Sequence, residues 1–382
     1  MQQTSAGTES AILVSINFGE PDYAESLEEL RLLAQTAGVR TVAIIESKRQ
    51  RPNTALFAGT GKVQEIAALV EQQDNPTVVI FNHDLSPAQM RNLTAELNTR
   101  VIDRTMLILD IFAQRAQSYE GKVQVELAQL RYLSTRLIGQ GIDMGQQKFA
   151  VGARGPGETQ LELDRRKLDR RVLLLKERLE KLRHHRVVQR RARSRHDVLS
   201  VSLVGYTNAG KSTLFNRLTK AEVYVADQLF ATLDTTSRKI YAEGQGEIVV
   251  SDTVGFIRHL PHGLVAAFRG TLEETAQADL LLHVVDVSNP NHPDQIQEVN
   301  KVLAEIGAAN IPQILVFNKV DATEIAPGVQ RDEYGRIARV FLSAKTGAGL
   351  EDLRTLLLET RATRQANELI EKQLKQARES WD

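Results

Sequence analysis

The feature that most constrains this chain is a glycine-framed loop between a buried strand and a helix. The apolar run LSVSLVG (199–205) leads into GYTNAGKS (205–212), and the following residues keep helical spacing. This pattern, G-x-x-x-x-G-K-[ST], cradles phosphate when it stands between a strand and a helix. Gly205 and Gly210 let the backbone approach phosphate closely, so that its N–H groups face the negative charge. The pattern predicts an α/β domain with a doubly wound, mostly parallel sheet.

Two side chains of the loop have assigned chemistry. Lys211 should reach the β- and γ-phosphates, and the Ser212 hydroxyl should ligate Mg²⁺. The rest of the loop is expected to line the nucleotide, namely Tyr206, Thr207, Asn208, Ala209 and Thr213. The alternative interpretation of the pattern by itself is a glycine turn before a helix, with no ligand.

A second motif follows a strand about forty residues downstream. The strand GEIVVSDTVG contains Asp252-Thr253-Val254-Gly255. An acid after a buried strand can hold the Mg²⁺ shell, and a glycine three residues later lets its N–H approach the γ-phosphate.

A third and a fourth motif predict the choice of base. PQILVFNKVD (312–321) is a buried strand that ends in Asn318-Lys319-Val320-Asp321, and Ser343-Ala344-Lys345 follows the strand RVFL. The Asp321 carboxylate can accept hydrogen bonds from N1–H and the 2-amino group of guanine, whereas adenine offers no matching donors. A backbone N–H of the Ser343 turn can meet guanine O6. All the motifs end strands, where open α/β sheets bind ligands, so together they predict a GTPase.

The switch threonine that ligates Mg²⁺ should lie between the loop and Asp252. The segment DQLFATLDTTSRKI offers Thr232, Thr235 and Thr236. Thr232 is favoured, with Phe230 and Ala231 beside the nucleotide, because this setting resembles the switch of Obg-like GTPases. The other two threonines stay alternatives.

The residue after Gly255 predicts slow hydrolysis. Ras-like enzymes carry there the glutamine that orients the attacking water, but this chain has Phe256. A phenyl ring cannot hold water by hydrogen bonding, so help from outside the site is expected, unless another side chain replaces the glutamine. Asn208 occupies the position that holds potassium in potassium-activated GTPases. Potassium activation is therefore a hypothesis, and a turn-stabilising side chain is the alternative.

The residues in front of the loop predict two further modules. Four apolar runs read as buried strands between helical segments, which predicts a small parallel α/β domain over 1–104. The runs are 11–18, 41–45, 77–81 and 100–103.

Two long periodic segments predict an antiparallel helical hairpin over 105–197. The first should run from Thr105 to Ile138 with a break near Gly121, and the second from Glu158 to about Arg195. The GTPase domain is expected over 198–362, and a charged helical tail over 363–382.

The hairpin carries a loop and a helix that predict contact with a polyanion. The stretch RGPGETQ (154–160) forces an exposed turn with Arg154 and Gly155, and no catalytic pair or metal-ligand cluster accompanies it. Basic residues far outnumber acidic ones in the helix that follows, which suggests phosphate-backbone contact. A solvated helix face is the alternative. The helix residues predicted to contact RNA are Arg165, Arg166, Arg170 and Arg171.

Composition excludes several other classes. The chain has 382 residues and no cysteine, which removes disulfides, thiolate metal sites and cysteine nucleophiles. It shows no long apolar run and no secretory signal at its start, so a cytoplasmic protein without a membrane span is expected. We expect a monomer away from its partner.

Several strings closely resemble the HflX family of ribosome-associated GTPases. They are VIDRTMLILDIFAQRA, ELAQLRYLSTRL, RGPGETQLELDRR, SLVGYTNAGKSTLFNRLT, DQLFATLD and DTVGFIRHLPHGLVAAF. The resemblance implies a GTPase that binds the large ribosomal subunit, directs its hairpin loop toward the peptidyl-transferase region and splits stalled or idle ribosomes. It also implies hydrolysis stimulated by the ribosome. Many bacterial members carry a further globular domain after the GTPase domain, where this sequence has a short charged helix.

Two other functions fit the same motifs. A factor that assembles the large subunit would differ only in the particle it meets. A signalling GTPase would use its front domain to bind a protein, and that contact would resist salt better than an RNA contact.

Overall fold

The computed structural model describes residues 9–73, 77–145, 156–194, 198–220, 228–242, 246–258 and 269–379. Its contacts divide the chain into a first unit that runs to Lys181 and a second that begins at Leu182. Within the described residues, no helix is both long and apolar enough to cross a bilayer.

The first unit is built on four parallel strands. They are β1 (Ser10–Asn17), β2 (Arg40–Lys48), β3 (Thr77–Phe81) and β4 (Val101–Asp103), in the order β2-β1-β3-β4. The helices between and after them are α1 (Tyr23–Thr36), α2 (Thr60–Glu71), α3 (Pro87–Leu97) and α4 (Arg104–Arg115). Strand β1 is almost wholly buried, as expected for a central strand covered on both faces. The predicted small parallel α/β fold is confirmed.

The break in the long helical segment lies earlier than predicted. Helix α4 ends at Arg115, and α5 runs over Tyr119–Gly145. The Ser118 hydroxyl accepts from the Gly121 N–H at 2.8 Å, so it satisfies one of the free donors at the start of α5. The predicted break is present, but it lies a few residues before Gly121, because Ser118 caps the start of α5 and the glycine lies in its first turn.

Helix α5 packs against the long helix α6 (Pro156–Ser194). Val123 and Leu127 of α5 form a small core with Leu175 of α6, and Arg171 pairs with Glu126 at 2.6 Å. Residue 126 faces 171 while 123 and 127 face 175, as in an antiparallel hairpin. The residues that join the two helices, with Arg154 and Gly155, lie outside the described ranges.

The second unit is built on a seven-stranded, mostly parallel sheet. Its strands are β5 (Leu199–Gly205), β6 (Thr236–Ala242), β7 (Gly246–Asp252), β8 (Leu280–Asp286), β9 (Gln313–Asn318), β10 (Gly328–Arg331) and β11 (Ile337–Phe341). The order is β10-β11-β9-β8-β5-β7-β6, and only the pairs β6-β7 and β10-β11 are antiparallel. Since the central strands are parallel, the residues after β5, β7 and β9 meet at one edge of the sheet.

The helices of the second unit complete the predicted nucleotide-binding fold. They are α7 (Lys211–Thr219), α8 (Arg269–Ala276), α9 (His292–Glu305) and α10 (Leu350–Glu379). Helix α10 packs Leu353, Leu356 and Leu357 into the core of the sheet. The charged residues after 362, which we expected as a separate tail, continue this same helix.

Candidate functional site

Two glycines let the phosphate loop pass between strand β5 and helix α7. Gly205 has φ +148°, and a Cβ at that position would overlap the carbonyl oxygen of Val284 on β8. Gly210 has φ +91°, and a Cβ there would overlap the side-chain amide of Asn318. Residues other than glycine rarely adopt either of these backbone conformations. The loop therefore needs glycine at both ends of its turn.

Lys211 begins helix α7 and lies inside the loop. Its side chain is buried, and its Nζ donates to the carbonyl oxygens of Gly205 at 3.1 Å and Tyr206 at 2.8 Å. Burial lowers the pKa of Lys211 to about 8, and the nearby Asp252 carboxylate acts in the opposite direction. The ammonium group is thus held at the centre of the loop and largely shielded from water.

Three oxygen-bearing side chains converge beside Lys211. The Ser212 hydroxyl donates to Asp252 Oδ2 at 2.7 Å, the Thr232 hydroxyl donates to the same oxygen at 3.0 Å, and the two hydroxyls are 2.8 Å apart. Burial raises the pKa of Asp252, while the hydrogen bond from Ser212 opposes that shift. Among the described residues, Asp252 Oδ1 has no hydrogen-bond partner although it is buried. Hard oxygen donors with a free lone pair fit Mg²⁺.

The switch segment brings one of its three threonines to this cluster. Thr232 makes the contacts with Ser212 and Asp252. Thr236 instead begins strand β6 and pairs with Asp252 through the backbone, and Thr235 precedes it. The geometry therefore favours Thr232 over the two alternatives.

A cavity of about 50 Å³ opens at the phosphate loop. Residues of the loop, of the switch segment around Thr232 and of the motif that begins at Asp252 line it together. A Cβ on Gly255 would lie 2.8 Å from Thr207 Cγ2 and 3.0 Å from Lys211 Nζ, so only glycine fits there. Gln228 was missed from the sequence, although it lies in the same conspicuous segment as Thr232. The lining residues are Thr207, Asn208, Gly210, Lys211, Ser212, Thr213, Gln228, Phe230, Ala231, Thr232, Thr253 and Gly255.

Phe256 is fixed against the phosphate loop by its backbone. Its N–H donates to the Gly205 carbonyl at 3.1 Å, its carbonyl accepts from Thr207 N–H at 2.7 Å, and its ring is 1% exposed. The ring lies in the core and has no polar atom to offer a water molecule. The residue in the glutamine position therefore cannot orient the nucleophile, as the sequence predicted.

The side chains of three residues predicted to contact the nucleotide are engaged or buried within the protein. The Tyr206 ring is buried, and its hydroxyl accepts from the Arg258 N–H at 2.8 Å. The Thr253 hydroxyl donates to the Leu203 carbonyl at 2.6 Å, and Val254 is buried. In this structure these side chains position the loop and the residues around Gly255.

Asn318 links the phosphate loop to the turn Ser343-Ala344-Lys345. Its Nδ2 donates to the Ala209 carbonyl at 2.9 Å, and its Oδ1 accepts from the Ala344 N–H at 2.9 Å. Lys319 forms an ion pair of 2.6 Å with Asp286, at the end of β8.

The rest of the base-reading motifs lies beside this link. The Asp321 carboxylate follows in a 3₁₀ turn and is exposed. Ser343 is fully buried, and its hydroxyl accepts from the Thr346 N–H at 3.1 Å. The structure thus brings the motifs that were predicted to read the base next to the phosphate loop.

Comparison with known proteins places these motifs in one family. Models described as "GTP-binding GTPase N-terminal", "GTP-binding GTPase Middle Region" and "50S ribosome-binding GTPase" match residues 24–113, 115–193 and 200–319. The chain is 53% identical to the GTPase HflX of Escherichia coli over 352 residues, which is 92% of this chain and 82% of the relative. The chain belongs to the HflX family of GTPases. It is also 47% identical to GTPase HflX of Caldanaerobacter subterraneus over 354 residues, 92% of this chain and 81% of that one.

A solved structure of a GDP complex has a similar fold. The complex of SsGBP with GDP is 26% identical, with a TM-score of 0.51, and the match covers 93% of this chain and 99% of that one. Family membership establishes GTP hydrolysis as the activity of this chain.

The basic residues of the HflX middle region lie on the surface of α6. Arg165, Arg166, Arg170 and Arg171 are all exposed. Arg171 is engaged with Glu126, and Arg165 lies 4.0 Å from Asp169.

One contact of the HflX site had no signal in the sequence. Arg217 of α7 donates through Nε to the Ala344 carbonyl at 3.2 Å and through Nη2 to the Lys345 carbonyl at 2.7 Å. An arginine on an exposed helix face is common, and its partners lie well over a hundred residues away in the chain. Only the fold brings them together.

Proposed function

We propose that this GTPase binds the large ribosomal subunit through its middle region and separates stalled or idle ribosomes into subunits. Contact with the ribosome stimulates GTP hydrolysis. The observation that carries the proposal is the exposed basic surface of α6. The match to a family described as "50S ribosome-binding GTPase" supports it.

Exposed arginines suit a phosphate backbone. Lys and Arg that neutralise phosphates release counterions, which gives affinity without reading sequence. Double-stranded RNA is recognised largely by shape and backbone. Arg154 and Gly155 at the connection, with Arg165, Arg166, Arg170 and Arg171 on α6, are the proposed RNA contacts, and the pairing of Arg171 with Glu126 makes Arg170 the stronger candidate.

Hydrolysis is assigned to the pocket around Lys211. Lys211 holds the β- and γ-phosphates, the Gly255 N–H reaches the γ-phosphate, and Asp321 accepts from the guanine base. Ser212, Thr232 and Asp252 hold Mg²⁺, which neutralises phosphate charge when bound. Phosphoryl transfer depends chiefly on positioning and electrostatic stabilisation, and the chain supplies both through these residues.

In the described part of the chain, the position that holds the water-orienting glutamine in Ras-like enzymes is occupied by Phe256, which cannot orient water. Because Phe256 is buried and bonded to the loop through its backbone, turnover without a partner should be slow. Relaxation of the switch residues around Thr232 and Gly255 after hydrolysis would then release the ribosome.

Potassium is proposed to assist at Asn208. This residue lines the phosphate cavity, and a monovalent cation held by its side chain would lie beside the phosphates. The hypothesis expects faster turnover in potassium than in sodium at equal ionic strength. Equal rates in the two buffers would refute it.

The proposal is tested by GTP turnover with and without purified large subunits. We expect at least tenfold stimulation, which should weaken steeply with rising salt. A triple variant, Arg165→Ala, Arg166→Ala and Arg170→Ala, should lose most of it and keep the basal rate. The matched control removes three exposed positive charges of the first unit, Arg31, Lys48 and Arg51, and should be stimulated normally. Absence of stimulation in the unaltered protein would refute the ribosome reading.

The two other functions predict different results in the same system. Light scattering of intact ribosomes should fall on addition of the protein and GTP if it splits them. Stimulation by immature large particles alone, with no splitting, would instead indicate assembly. Binding to a protein partner that resists salt would indicate a signalling role.

A further inference from the structure

We propose that Arg217 is a positioning residue for guanine recognition, which aims the backbone N–H of Lys345 at guanine O6. The inference rests on the proposed base pocket formed by Asp321 and the turn Ser343-Ala344-Lys345. It adds a residue that none of the nucleotide motifs contains.

The donors of the turn are not equivalent. The Ala344 N–H donates to Asn318 Oδ1, and the Thr346 N–H donates to the Ser343 hydroxyl. Among the described residues, the Lys345 N–H has no hydrogen-bond partner. It is therefore the donor of this turn that is available to a ligand.

Arg217 fixes the orientation of that donor. A peptide unit is planar and trans, so the Ala344 carbonyl and the Lys345 N–H belong to one plane and point in opposite directions. Arg217 Nε holds the Ala344 carbonyl at 3.2 Å, which directs the Lys345 N–H away from α7. Its Nη2 holds the next carbonyl, of Lys345, at 2.7 Å, so two consecutive peptide planes are fixed by one guanidinium group.

The arrangement links both ends of the nucleotide to one helix. The first turn of α7 carries Lys211 and Ser212 at the phosphate loop, and Arg217 leaves the same helix at the turn Ser343-Ala344-Lys345. A planar fork of donors can hold two carbonyls at once, whereas a lysine can hold only one of them in this geometry. The distance between the phosphate site and the O6 donor is thus set by the rigid helix.

The experiment measures dissociation constants for three diphosphates in the full chain without ribosomes. GDP offers every contact, IDP lacks the 2-amino group read by Asp321, and 6-thio-GDP carries at position 6 a sulfur that accepts hydrogen bonds weakly. The variants are Arg217→Ala and Arg217→Lys. The control is Arg238→Ala, which removes an exposed arginine of the same unit whose guanidinium contacts the Ser237 carbonyl.

We expect Arg217→Ala to weaken the binding of GDP about tenfold and that of 6-thio-GDP less than about threefold. The preference for an oxygen at position 6 should therefore be largely lost. The ratio of IDP to GDP affinity should stay unchanged, because that ratio reports Asp321. Arg217→Lys should recover part of the O6 preference, and Arg238→Ala should match the unaltered protein.

Equal weakening of all three nucleotides in Arg217→Ala and Arg217→Lys would show a purely structural role and overturn the proposal. A protein that bound GDP and IDP equally well before any substitution would contradict the base pocket itself, and the assignment of Arg217 would fail with it.

Discussion

The two parallel sheets of this chain place buried aspartates at the carboxyl ends of strands, but the two aspartates are used differently. Asp103 ends β4 in the first unit, where Oδ1 accepts from Tyr132 at 2.6 Å and Met106 N–H at 2.9 Å. Its Oδ2 accepts from Arg136 and from the Leu85 N–H. Both oxygens are satisfied within the protein, so this edge of the sheet holds helix α5 in place.

Asp252 ends β7 in the second unit, and one of its carboxylate oxygens can still accept hydrogen bonds or bind a metal ion. One oxygen receives the hydroxyls of Ser212 and Thr232, and among the described residues the other has no partner. The cavity at Lys211 adjoins this cluster. A polar strand end is thus suited to bind a ligand when its groups converge on a cavity and leave lone pairs unused, and it serves as a structural clamp when its groups satisfy one another.

The largest expected effect tests whether the site at the second sheet binds the nucleotide. Lys211→Ala should lower single-turnover GTP hydrolysis on the order of 10³-fold, because it removes the one buried cation of the phosphate loop. Rapid-quench assays with radiolabelled GTP measure this. Lys239→Ala, at an exposed lysine paired with Glu247, is the control and should keep the normal rate. A loss of less than about tenfold in Lys211→Ala would contradict the assigned role.

The next effect tests the clamp at the first sheet. Arg136→Ala should cost about 3 kcal/mol of unfolding free energy, because it leaves Asp103 buried without its ion-pair partner. Urea unfolding of the first unit measures this. Basal GTP turnover should not change.

Arg100→Ala provides the matched control for the clamp. Arg100 pairs with Glu9 and Asp110 but is 53% exposed, so its loss should cost less than about 1 kcal/mol. Equal destabilisation by the two substitutions, or a fall in basal turnover with Arg136→Ala alone, would contradict the division of roles.

A pH effect should separate the two units. Burial lowers the pKa of His283 on β8 to about 3, helped by the charge of Lys211. Below a pH of about 6.5, the ordinary pKa of histidine, His283 is therefore protonated in the unfolded chain but stays neutral in the folded chain. The resulting stability is complete above pH 6.5 and is lost as pH falls toward 3, by about 2 kcal/mol at pH 5.

His283→Gln should remove that part of the acid sensitivity. Calorimetry at pH 7 and pH 5 measures it, with the transition of the second unit identified by its upward shift with GDP. If the variant and the unaltered protein lose equal stability between the two pH values, the burial of a neutral His283 does not control this response.

The smallest effect sharpens the assignment of the switch threonine. Thr232→Ala should lower hydrolysis about tenfold and raise the Mg²⁺ concentration needed for half-maximal turnover, because it removes one oxygen from the cluster at Asp252. Thr235→Ala is the matched control and should need no additional Mg²⁺. The opposite pattern would assign the switch to Thr235.

Local sequence patterns were enough to predict most residues of the candidate nucleotide site. Gly205, Lys211 and Asp252 sit in short motifs whose spacing reflects the backbone that surrounds phosphate, and the strand-by-strand order of a parallel sheet then requires them to meet. The fold class followed from the same alternation of strands and helices. Thr232 could be favoured from its setting, but three threonines shared the segment, and side-chain distances were needed to separate them.

The remaining contacts join residues that are far apart in the chain, and no sequence pattern predicted them. Arg217 meets the turn at Ala344, and Arg136 meets Asp103, each through a partner on a distant segment. The break before Tyr119 lies a few residues earlier than predicted for a local reason: the prediction used Gly121, whereas the Ser118 hydroxyl caps the start of α5. Residue types that are ordinary in helices thus become informative only after the fold is known.

Affinity for GDP and XDP in the unaltered protein and in Asp321→Asn tests the central claim most directly, namely that one pocket holds the phosphates at Lys211 and reads the base at Asp321. Guanine presents an amino group at position 2, and xanthine presents a carbonyl oxygen there. The account predicts a strong preference for GDP in the unaltered protein and a reversal toward XDP in Asp321→Asn, with one site per chain in both. Retention of the GDP preference by Asp321→Asn would contradict it.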